Sequence, residues 1–66
     1  MKNRAMLLCI KNNIATIEEY ARKIGVSPSR AESILKEEVV LTQDEIKANC
    51  SLFGVSADYF LALIEA

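Results

Sequence analysis

The sequence predicts an all-α domain of five short helices. Three observations carry this reading. Every break in the chain is followed by a helix-start signal, apolar residues recur three and four apart between the breaks, and no window alternates polar with apolar over a strand's length. Helix one is expected over about 3–12, with Met6, Leu7 and Ile10 as its stripe. Thr16 followed by Glu19 is a capping box that opens helix two over about 17–24, where Tyr20, Ala21 and Ile24 repeat at helical spacing. Ser27 places a capping hydroxyl ahead of Pro28, whose missing N–H costs nothing at a first helical position, and starts helix three over about 28–36. Its apolar residues are Ala31, Ile34 and Leu35. The VVL stretch at 39–41 is too short for a strand and reads as a connection turned inward. Thr42 with Glu45 is a second capping box, opening helix four over about 43–53 with Ile46, Cys50 and Phe53. Ser56 starts helix five over about 57–65, carrying Tyr59, Phe60, Leu63 and Ile64. Gly25 and Gly54 fall just past helical patterns, where a left-handed residue closes the last turn.

With 66 residues, the chain reads as a single domain, 1–66. A chain of this size buries only about 60% of the surface exposed when unfolded, so its stability is small. The composition, 52% hydrophobic and 26% charged, is that of a folded globule. No apolar run approaches the roughly 18 residues of a membrane span, and no signal peptide is apparent, which points to the cytoplasm.

Chemistry is thin. The chain has no histidine, so Ser-His and Cys-His nucleophiles are excluded, and Cys9 and Cys50 alone cannot make a zinc site. Both cysteines lie in apolar helical patterns and read as reduced, packed residues. The adjacent pairs Glu18-Glu19 and Asp44-Glu45 sit in first helical turns, where negative charge favours the helix dipole. No enzyme, metal or cofactor is expected. Charge is segregated: residues 1–36 sum to +4 and residues 37–66 to −5, for a net −1. An anionic partner would meet the basic half.

The segment T-x-E-E-Y-A-x-x-I-G-V-S-x-S-x-A-x-x-I-L, from Thr16 to Leu35, describes two helices joined by a tight turn. Ala21 is small where two backbones must approach, Gly25 permits the turn, and Val26, Ala31 and Ile34 are apolar where crossing helices touch. In these positions the chain resembles helix-turn-helix domains of the phage repressor and Cro type. Its tail, LFGVSADYFLAL at 52–63, is similar to the last two helices of repressors from phages of Gram-positive bacteria. The resemblance implies a lambda-repressor-like fold, double-stranded DNA as partner, and helix three in the major groove. Carried over by position, it implies contacts from Thr16 and Ser27 at the helix starts, from Pro28, and from Ser29 and Ser33 as base-facing residues. Arg30 would meet a guanine edge or a phosphate, and Lys36 the backbone. It also implies a homodimer through Tyr59, Phe60, Leu63 and Ile64. Where many family members pair an Arg on helix one with a Glu near the end of helix three, this chain has Ile10 and Leu35, which are expected to be buried against one another.

The chain departs from the family at the rim of the site. Ile17 stands where a phosphate-gripping Gln is frequent. Lys36-Glu37-Glu38 replaces an Asn-Gly followed by a basic residue. Two functions therefore fit: a small operator-binding regulator, or a helix-turn-helix-shaped module that binds protein, such as an antirepressor. An apolar patch beside helix three would favour the second, and exposed Ser29, Arg30, Ser33 and Lys36 the first.

Overall fold

The computed structural model describes residues 1–65, and over these the chain forms five helices and no strand. They are α1 (Ala5–Lys11), α2 (Ile17–Ile24), α3 (Pro28–Leu35), α4 (Gln43–Phe53) and α5 (Ala57–Phe60). No helix among the described residues is long and apolar enough to cross a membrane. The expected starts of α2 to α5 are all in place. The hydroxyls of Thr16, Ser27, Thr42 and Ser56 accept from the amides of Glu19, Arg30, Glu45 and Tyr59. At α4 the capping box is complete. At α2 the returning Glu19 carboxylate accepts instead from the Ala15 amide, one residue before the cap.

The ends are less regular than the starts. All five helices stop at a left-handed residue, but only α2 and α4 use glycine, Gly25 and Gly54. The other three stop at Asn13, Glu37 and Ala62, each with φ near +60°. In each case the next amide reaches back five residues. Ile14 donates to Cys9, Glu38 to Ser33 and Leu63 to Asp58, at 2.8–2.9 Å. The amides of Asn13, Glu37 and Ala62 donate to Ile10, Ile34 and Tyr59, completing three Schellman motifs without glycine. The expected fifth helix of 57–65 is thereby corrected. It ends at Phe60, because the chain turns at Ala62. An alanine in that conformation is strained. Ala62→Gly should raise stability by about 1 kcal/mol, read as a higher urea midpoint at unchanged slope.

The core joins Ala5, Leu8 and Cys9 of α1 to Tyr20, Ala21 and Ile24 of α2, Ala31 and Ile34 of α3, Leu41 of the α3–α4 connection, and Phe60. Two sequence expectations fail here. Ile10 is 68% exposed, so the Ile10–Leu35 core contact does not form as a buried pair. α1 buries the positions related by three and four residues from Ala5, and that face turns Met6 and Ile10 outward. Leu35 is half-buried against the core. The apolar stripe of α5 is also divided. Phe60 is fully buried and Tyr59 half-buried, leaving only Leu63 and Ile64 exposed, so Phe60 is no part of any surface contact. The Arg4 guanidinium lies 4.2 Å from the Tyr59 ring centroid and donates to the Tyr59 carbonyl, while the Arg4 amide donates to Phe60 at 2.8 Å. These contacts fasten the start of α1 to α5.

A polar staple runs through the same core. The Tyr20 hydroxyl donates to the fully buried Asn49 side chain, whose Nδ2 donates to the Glu45 carbonyl at 2.8 Å. Tyr20 also lies against Phe53, ring centroids 6.4 Å apart. Cys9 and Cys50 are free, and burial pushes the Cys9 thiol up to about 11, which keeps it protonated and inert.

Candidate nucleic-acid interface

α2 and α3 cross and are joined by a tight turn, as their residue types require. Gly25, φ +75°, turns the chain after α2, and Val26 donates back to Ala21 at 3.0 Å. Ala21, Ala31 and Ile34 are buried where α2 crosses α3. This crossing sets the starts of α2 and α3 side by side across a shallow depression lined by Ile17, Glu18, Pro28, Ser29 and Glu32. On the far side of Ile17 and Glu32 a second depression opens between α1, the start of α2 and the end of α3. It is lined by Met6, Ile10, Ile14, Ile17 and Leu35, with Thr16 and Lys36 at its margin.

The residues expected to touch DNA are thus distributed over three places. Pro28 and Ser29 are exposed in the first depression. Thr16 and Lys36 are exposed beside the second. Ser27 is exposed and its hydroxyl caps α3, while Ser33 is half-buried. Arg30 turns away from both. Its Nε and one Nη donate to the two carboxylate oxygens of Glu45, each at 2.8 Å, and the same Nη donates to the Val40 carbonyl at 2.9 Å. This fork-on-fork pairing holds α3 to the start of α4. The Arg30 guanidinium holds the Glu45 carboxyl down at about 2, with the Thr42 amide assisting against the opposing effect of burial. With Nε and this Nη engaged, Arg30 can offer a base edge its two-pronged grip only by leaving the pair.

Sequence reasoning missed four features, the Arg30–Glu45 pair among them. Glu18 and Glu32 line the first depression and put negative charge beside the start of α3. Lys36 lies 3.6 Å from Glu32, so the two cancel locally. Glu37 does not simply face the solvent as a repulsive rim. Its carboxylate accepts from the Asn3 amide at 3.1 Å, and Asn3 Nδ2 donates to the Ile34 carbonyl at 3.0 Å, tying the first residues to the end of α3. The i,i+4 spacing of Glu32 and Lys36 was visible in the sequence as a pairing signal. The Glu45 partner of Arg30 was not, because its spacing follows from the α3–α4 connection.

Compared with known proteins, the chain matches no family model, no curated protein and no solved structure.

Proposed function

We propose that this chain is a small transcriptional regulator of the phage or prophage type, which binds operator DNA through the outer face of α3. The reading is supported above all by one juxtaposition: two side-chain-capped helix starts, at Thr16 and Ser27, flank a depression in which Pro28 and Ser29 are exposed. Amides at capped helix starts suit phosphate oxygens, and small polar side chains suit base edges. The outer face of α3 carries Ser29, Glu32, Ser33 and Lys36, whose charges sum to zero. DNA affinity is largely electrostatic, so a single copy binds weakly and two half-sites are needed for useful occupancy.

A second reading, a helix-turn-helix-shaped module that binds protein, is favoured by the apolar depression beside Lys36 and by the Arg30–Glu45 pairing. Selection from random duplexes at low salt separates the two. Under the DNA reading a defined site is enriched, and Lys36→Ala lowers affinity evenly across sequences. Arg30→Ala lowers it by about 1–3 kcal/mol and relaxes one base position. No enriched site, with both variants binding duplex as the parent does, would leave the protein-binding reading.

A further inference from the structure

We infer that Glu32 sets the base preference of α3, its carboxylate accepting from the N4 amine of a cytosine in the major groove. The inference rests on the DNA reading above and adds to it the base that the helix selects. Ser29, Glu32 and Ser33 are three and four residues apart and share one face of α3, with Lys36 following at the helix end. Glu32 stands between the two depressions. Its side chain is 50% exposed and lines both of them. Its ionic partner is Lys36, at 3.6 Å. Both side chains are at least half-exposed, and an ion pair so open to water contributes little. On DNA the Lys36 ammonium has phosphates to meet, and the carboxylate is set free.

Phosphate repels a carboxylate at a DNA surface, so a favourable contact needs a donor. A carboxylate can only accept. In the major groove the bases offer it two amines, N4 of cytosine and N6 of adenine. The adenine amine stands beside the N7 acceptor, a combination that an amide side chain matches and a carboxylate does not. Cytosine presents its amine without such an acceptor on the same base, so a carboxylate fits there. The competing groups on α3 are less selective or are engaged elsewhere. Ser29 and Ser33 carry hydroxyls, which donate or accept as the base requires. Arg30, the side chain suited to guanine, is held on both carboxylate oxygens of Glu45.

The test is selection from random duplexes at low salt, run on the full chain and on Glu32→Gln and Glu32→Ala. Glu32 is exposed, so both variants should keep the parent's circular dichroism. The parent should enrich a C·G pair at a fixed position, and any other pair there should weaken binding roughly 5- to 150-fold. Glu32→Gln should move the preference at that position to A·T and leave the other positions unchanged, because an amide matches adenine N6 and N7. Glu32→Ala should lose the preference there and bind sites without the cytosine more tightly than the parent does, since a repulsive charge is gone. A site on which the three proteins agree at every position overturns the inference and leaves the DNA reading in place. So does a parent preference for a pair other than C·G at the position that moves. A site selected by Glu32→Ala but not by the parent also overturns it, because Glu32 would then only repel. No enriched site for any of the three overturns the DNA reading, and the inference with it.

Discussion

Replacing Phe60 with alanine should remove about 3–5 kcal/mol of stability, a large share of what the chain has. Phe60 is wholly buried, yet it sits in a helix of only four residues. Four residues cannot sustain a helix by themselves, so α5 exists because its last side chain is in the core. Truncating a buried Phe costs about 3–5 kcal/mol, from lost transfer energy and the cavity left behind. A domain of this length holds roughly 3–10 kcal/mol in total. The loss also reaches α1, because the Arg4 amide and guanidinium bond to the carbonyls of Phe60 and Tyr59. Urea titration followed by far-ultraviolet circular dichroism measures the effect. Leu63→Ala, three residues on and 69% exposed, provides the control and should change stability by no more than about 0.5 kcal/mol. A Phe60→Ala variant that lost less than about 1 kcal/mol would mean that α5 is peripheral to the core.

The contrast between Phe60 and Leu63 shows what was legible in the sequence. Helix starts were readable because capping is local: a hydroxyl at Thr16, Ser27, Thr42 or Ser56 finds an amide three residues on. Helix ends were readable only at Gly25 and Gly54. Ala62 is a strong helix former by propensity, so a pattern of apolar residues ran through it to Ile64. Tertiary packing of Phe60 instead draws the chain into a left-handed turn there. The same competition misplaced α1. Met6, Leu7 and Ile10 fit a helical stripe as well as Ala5, Leu8 and Cys9 do, and only the fold decides which face is buried. The tight turn between α2 and α3 was legible because its constraints are local and numerous. The partner of Arg30 was not, since Glu45 lies across the connection between α3 and α4.

That pair gives the most direct link between stability and the proposed function. Glu45→Gln keeps the shape of the side chain and an acceptor for the Thr42 amide, but it removes the charge that Arg30 grips. At pH 7 the variant should be less stable by about 2 kcal/mol, the scale of hydrogen bonds to a charged group. The effect has a defined pH dependence. The Glu45 carboxyl titrates at about 2 when folded, against an ordinary value of 4.5, so the folded state favours the ionised form. Its contribution is complete above about 4.5 and is lost as the pH falls from there towards about 2. Urea midpoints of the parent and Glu45→Gln should therefore differ most at neutral pH and converge towards pH 2. A gap that stays constant over this range would mean that the carboxylate charge is not what stabilises the pair. Glu45→Gln also releases Arg30 from its strongest acceptor, leaving the Val40 carbonyl. If α3 reads DNA with Arg30, the variant should bind the selected duplex more tightly than the parent while folding less stably. Arg30→Ala in the same background should abolish that gain. Tighter folding in the parent would then come at the expense of its one readily freed arginine on α3, and the exchange would be measurable in both directions with a single pair of residues.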